Sequence, residues 1–171
     1  DLEARMVRAD PTLDTPPTAA PVDPASAVPV DGGKLGNLPR RLTALLGRDV
    51  ELAKLTELVR TASLVTLTGA GGVGKTRLAM QLSERAAAEH PDGVWLCDLA
   101  PVREDALVAE AVTTALDVQR RQDRSTIEGL VEVLQPRRLL IVLDNCEHVL
   151  APVREVTEAL LRGCSDVRIV A

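Results

Sequence analysis

The chain contains no phenylalanine and no tyrosine, and Trp95 is its single tryptophan. Its core must therefore be aliphatic, and surfaces that stack nucleic-acid bases on interleaved aromatic rings are excluded. Cysteine is limited to Cys97, Cys146 and Cys164. That is an odd number without metal-ligand spacing, so reduced, mostly buried thiols of a cytosolic protein are expected. The two histidines, His90 and His148, do not form part of a Ser/His/Asp set. His90 is expected to face the carbonyls at a helix end and His148 to open a helix. No apolar run approaches the ~20 residues of a membrane span, and no signal peptide is expected among these residues. A net charge of −5 argues against nucleic-acid binding by charge alone. The pairs Arg40-Arg41, Arg120-Arg121 and Arg137-Arg138 read as solvated faces. The chain starts with Asp1, and a piece of a longer protein is expected.

What is present is concentrated between residues 64 and 76, which read LVTLTGAGGVGKT. Leu64 to Thr68 is a short apolar, β-branched run that predicts a buried strand. It leads into Gly69-Ala70-Gly71-Gly72-Val73-Gly74-Lys75-Thr76, which fits the phosphate-loop pattern GxxxxGK[ST]. From Leu78 the period becomes helical, with Leu78, Ala79, Leu82 and Ala86 on one face. A triphosphate is a dense anion, and a loop wraps it best with backbone N–H groups, which glycines leave accessible. The N-terminus of the following helix adds its dipole. Lys75 supplies a mobile charge for the β- and γ-phosphates, and Thr76 a hydroxyl for Mg²⁺. Arg77, one step into the helix, completes the expected nucleotide contacts. Only Lys34, Lys54 and Lys75 are lysine among 20 basic residues, so Lys75 runs against the chain's habit of using arginine.

Elsewhere apolar strands and amphipathic helices alternate. Residues 10–36 are rich in proline and alanine and predict an extended linker. Helices are expected over 49–59 (with Leu52, Leu55, Leu58 and Val59 as the stripe), 106–116, 125–135 and 149–161. Gly163 is the expected C-cap of the last. The third of these opens on the capping box Ser125-Thr-Ile-Glu128, and Pro136 stops it. Strands are expected at 93–99, 139–143 and 167–171. Leu139 to Leu143 does not alternate with polar residues and should be buried on both faces. The alternation predicts a three-layer α/β fold with a parallel sheet and helices on both faces, cut off after its fourth strand.

The third strand delivers Asp144 to the C-terminal edge of the sheet, where ligands bind in open α/β folds. Asp144 is the expected second Mg²⁺ contact, opposite Thr76. The next residue is Asn145, which hydrogen-bonds but cannot take a proton. Glu147 is the nearest carboxylate. It is either the group that works on the attacking water or a favourable charge in the first turn of a helix.

The segments Gly36-Asn-Leu-Pro39, Leu45-Leu-Gly-Arg-Asp-Val-Glu-Leu52, GAGGVGKT and LLIVLDNCEH at 139–148, in this order, resemble one family. It is the signal-transduction ATPases with numerous domains, related to NB-ARC modules. The chain is most similar to the ATPase domains of actinobacterial antibiotic-regulatory-type transcription regulators. The resemblance implies a P-loop NTPase domain of NB-ARC or AAA type over 37–171, incomplete at its C-terminus, and the tail of an activator domain over 1–9. It implies that Leu46-Gly47-Arg48 packs against adenine and ribose, that ATP or ADP binds with Mg²⁺, and that the other domains of the same polypeptide are the partners. It also implies a γ-phosphate sensor beyond the fourth strand, so slow hydrolysis is expected. Two functions follow. One is a nucleotide-controlled switch in a transcription regulator, binding no nucleic acid itself. The other is a stand-alone phosphotransferase such as a small-molecule kinase, for which no arginine-rich lid is evident. The absence of an NKxD motif disfavours guanine.

Overall fold

The computed structural model describes residues 36–39, 47–120 and 123–171. The expected tail at 1–9, the linker up to residue 35, Arg40-Arg41, Leu45-Leu46 and Arg121 lie outside them.

The uninterrupted apolar run at 139–143 becomes β3 (Leu140–Asp144), with its first four residues buried. It lies between β2 (Val94–Asp98) and β4 (Arg168–Val170), with β1 (Leu64–Val65) beyond β4. The order is β1-β4-β3-β2 and every pairing is parallel. Alternate residues of β3 divide the core. Leu140 and Val142 join Leu52 and Val59 of α1 (Asp49–Thr61) and Leu78, Ala79 and Leu82 of α2 (Lys75–Ala86). Ile141 and Leu143 join a second cluster built from α3 (Val108–Ala115), α4 (Thr126–Leu134) and α5 (Leu150–Gly163). Two helices on one face and three on the other make the three layers that the sequence predicts.

The expected first strand, Leu64 to Thr68, is less buried than its composition suggests. β1 lies at the end of the described sheet and Leu64 is 41% exposed. Its pairing with β4 continues from the Ser63 carbonyl, which accepts from Ile169 N–H at 2.9 Å, to Leu67 N–H, which donates to Ala171 O at 2.6 Å. On α1, Leu52 and Val59 are buried but Leu58 is turned outward. The opposite sheet edge is covered by a short segment. Gly36 bridges to Val94, and Asn37 donates from Nδ2 to Leu96 O at 2.8 Å while its Oδ1 accepts from Leu96 N–H at 2.6 Å. The side chain of Asn37 thus satisfies outward-facing groups of an edge strand. Gly36 has φ +127, and a Cβ there would collide with the Val94 carbonyl.

The capping box at Ser125 and Glu128 is formed, and α4 ends at Leu134, ahead of Pro136. Gly163 departs from expectation. It is the last helical residue of α5, and the C-cap is Cys164, in extended backbone. Its lack of a side chain serves packing, because a Cβ at Gly163 would collide with Val131 Cγ1 of α4. Gly163→Ala should therefore destabilise the chain by about 1–2 kcal/mol, the cost of overpacking exceeding the ~1 kcal/mol that alanine gains as a helix former. In a Val131→Ala background the same change should be stabilising. Urea titrations of the four chains in this cycle check that sign reversal, and a loss that persists in the Val131→Ala background would refute the packing account.

Candidate functional site

Between β1 and α2 the chain turns through Gly69–Gly74. Gly72 and Gly74 have φ of +77° and +90°, conformations that strain any residue with a side chain. A Cβ at Gly71, Gly72 or Gly74 would meet nothing within 4 Å, so there the requirement is conformational or leaves room for a ligand. At Gly69 a Cβ would stand 3.1 Å from Val73 Cγ1, so that glycine permits the loop to close. Gly74 is the N-cap of α2 and no side chain caps the helix, leaving its first N–H groups directed out of the helix end. Lys75 lies across the loop and its Nζ donates to Gly69 O at 2.9 Å and Ala70 O at 3.3 Å.

This loop faces the ends of β3 and β4 across a cavity of about 280 Å³. One side is formed by Gly71, Gly72, Gly74, Lys75, Thr76 and Arg77. The other includes Asp144, Asn145, Cys146 and Glu147. Gly69, Ala70 and Val73 belong to the loop but not to this wall. Gly47 and Arg48 also stand outside it. Gly47 has φ +80°, and Arg48, the residue preceding α1, donates from Nη2 to Val73 O at 3.2 Å. Arg48 thus braces the loop from behind.

The donor set suits Mg²⁺ because it consists of hard oxygens, the Thr76 hydroxyl and the Asp144 carboxylate. Among the described residues no three His, Cys, Asp or Glu side chains cluster as a metal cage. Glu147 is exposed and sits in a turn ahead of α5, which starts at Leu150, so the reading of Glu147 as a first-turn helix charge is not borne out. His148 is in the same turn and donates from Nε2 to Val102 O at 2.7 Å, anchoring it. His90 is buried and donates from Nδ1 to the helix-end carbonyl of Ala86 at 2.8 Å; burial lowers its pKa, disfavouring the charged form.

The surroundings of the three thiols disfavour the thiolate form. Burial, with the nearby Asp98 charge adding to it, pushes Cys97 up to about 12, and burial raises Cys146 and Cys164 as well. All three are free.

Sequence reasoning gave no role to Asp98, and the structure puts it at the site's margin. It ends β2 in register with Asp144 at the end of β3, and its Oδ1 accepts from Asn145 Nδ2 at 2.9 Å. The signal was present, since VWLCD and LIVLD are the same pattern of an apolar strand ending in an acid.

With this geometry in view, the likeness to known proteins can be placed. A family model described as "AAA domain" matches residues 58–170. An uncharacterised protein of Mycobacterium tuberculosis is 40% identical over 131 residues, covering 77% of this chain and 33% of the relative. A protein of the same species assigned as an HTH-type transcriptional regulator is 44% identical over 108 residues, 63% of this chain and 12% of the relative. The regulatory protein AfsR of Streptomyces coelicolor is 28% identical over 170 residues, 85% of this chain and 16% of the relative. The chain thus spans about a third or less of the length of these curated relatives. Among solved structures, Cdc6p of Pyrobaculum aerophilum superposes with a TM-score of 0.55 at 19% identity, covering 78% of this chain and 40% of that one. The ORC2 protein of Aeropyrum pernix, solved in ADPNP–ADP complexes, gives 0.55 at 15% identity, with coverage of 78% and 42%.

Proposed function

The chain belongs to the AAA-domain family, and from that premise we propose that it is the ATP/ADP-binding switch module of a multidomain bacterial transcription regulator, with slow Mg²⁺-dependent ATP hydrolysis. The observation that carries the reading is the cavity between the glycine loop and Asp144. Loop N–H groups and the start of α2 cradle the phosphates, and Lys75 swings from the loop carbonyls to the β- and γ-phosphates. Thr76 and Asp144 would hold Mg²⁺, which would supply neutralisation of phosphate charge. Gly47 and Arg48 border the adenosine end, Arg48 through its hold on the loop. The regulators among the relatives support a place beside DNA-binding and other domains of one polypeptide, with no contact to nucleic acid by this module.

Slow turnover follows from residue 145. An amide orients water but cannot accept its proton. Glu147, exposed at the rim, is the carboxylate that takes it. Glu147→Gln should lower the residual rate by about a hundredfold or more, the usual range for a general base, and leave the dissociation constant for ATP unchanged. An unchanged rate would remove Glu147 from the mechanism.

Calorimetric titration of the chain with ATP, ADP and GTP, with and without Mg²⁺, tests the reading as a whole. Adenine nucleotides should bind at least tenfold more tightly than GTP, and chelation of Mg²⁺ should weaken the triphosphate most. Equal affinity for GTP would overturn the adenine assignment. Turnover at ~1 s⁻¹ or faster, in the range of competent enzymes, would favour a phosphotransfer enzyme over a switch.

A further inference from the structure

Asp98 and Asn145 form a pair that the proposed function does not yet use. Asn145 has φ +56°, a left-handed conformation that asparagine tolerates better than most residues, and it lines the cavity directly after Asp144. Asp98 does not line the cavity. Its Oδ1 accepts both Asn145 Nδ2 at 2.9 Å and Ala100 N–H at 3.0 Å, so its side chain is held by its own turn. The strand ends are tied to each other as well, since Leu99 N–H donates to Asp144 O at 3.0 Å.

An amide presents a donor at one end and an acceptor at the other, and a carboxylate only accepts. With Asp98 as partner, the NH₂ group of Asn145 must turn toward position 98, and Oδ1 is left as the acceptor for the cavity. A neutral partner able to donate as well as accept would let the amide flip and would lose that distinction. From this we infer that Asp98 is a positioning residue for ATP hydrolysis. It fixes the amide of Asn145 so that Asn145 Oδ1 accepts a hydrogen bond from the attacking water and aims its oxygen at the γ-phosphate.

The inference rests on the ATPase reading above. In the step it serves, the water oxygen bonds to the γ-phosphorus as the bond from that phosphorus to the β,γ-bridging oxygen breaks. The bridging oxygen keeps the electron pair and leaves on ADP, and the water's proton passes to Glu147 and then to solvent. Asn145 neither gains nor loses a proton. Its contribution is orientation, which is worth rate and not affinity.

The test combines single-turnover hydrolysis of γ-labelled ATP with calorimetry on the same chains, folding being checked by Trp95 fluorescence. Asp98→Asn should lower the single-turnover rate at least tenfold while the ATP dissociation constant stays within twofold. Asp98→Ala should act in the same direction, because it too frees the amide to rotate. The reciprocal exchange D98N/N145D restores a donor at 98 facing an acceptor at 145 and should recover most of the rate lost in Asp98→Asn. Because a carboxylate at 145 can itself accept the water's proton, Asn145→Asp alone is the reference: a purely structural role for Asp98 would leave Asp98→Asn as costly in the Asn145→Asp background as in the wild type. A wild-type rate in Asp98→Asn, a loss of affinity as large as the loss of rate, or an exchange that fails to rescue would overturn the inference. So would a wild-type chain that binds ATP and hydrolyses none. Failure of the nucleotide-site reading itself looks different, because the wild-type chain would then show no heat of binding with ATP at all.

Discussion

Lys75→Ala should weaken ATP binding by about 2–5 kcal/mol, roughly 30-fold to several-thousand-fold, and leave the fold intact. The side chain is half-buried, and its contacts at 2.9 and 3.3 Å are to two loop carbonyls. Neither core cluster includes it, so its removal should not change the melting temperature. It does remove the mobile charge that faces the β- and γ-phosphates. Arginine should not substitute well, because its planar fork has a different reach and hydrogen-bond geometry from a compact ammonium. Calorimetry on the folded variant decides the matter. Unchanged ATP affinity would mean that the loop is not the nucleotide site.

The largest loss of stability is expected at Ile141→Ala. Ile141 is fully buried in β3, with Trp95 beside it in the register of β2. Removing three carbons there should cost about 2–5 kcal/mol, a large share of the 5–15 kcal/mol that holds a typical domain folded. Neither phenylalanine nor tyrosine is present to brace the core, and aliphatic side chains around a new cavity relax only partly. Urea titration followed by Trp95 emission gives the number directly, since no tyrosine contributes. A loss below ~1 kcal/mol would mean that the two clusters do not depend on β3 as their geometry implies.

The features legible in the sequence were those that depend on local chemistry. A glycine loop between a strand and a helix, a capping box, and an apolar run too continuous to have a wet face each declare themselves within ten residues. Long-range relations were harder to read. Leu64 has the composition of a buried strand residue, yet it lies on the edge strand of the described sheet and stays half-open to solvent. Gly163 stands where helix caps stand, but its reason is Val131 on a neighbouring helix. Asp98 and Asn145 are 47 positions apart and meet because β2 and β3 run in register. Asn37, 59 positions from Leu96, completes the opposite edge in the same way. Patterns of period two or 3.6 identify elements; they carry no information about which element lies alongside.

The shortness of β1 bears on how the site responds to its ligand. In parallel sheets the amides that exchange most slowly with solvent hydrogen lie on strands paired along both edges and covered on both faces, which here is β3. β1 is the opposite case: the outermost strand of the described sheet, with a two-residue ladder extended by the Leu67–Ala171 bond, from which the chain leads through the glycine loop into α2. Local opening of this hinge should require far less free energy than opening the sheet. A ligand that grips the loop closes the hinge as it binds, and the free energy of that closure is subtracted from its affinity. Hydrogen exchange at Leu67 N–H, which donates to Ala171 O, should therefore slow severalfold when nucleotide is added, while the amides of β3 stay as they were.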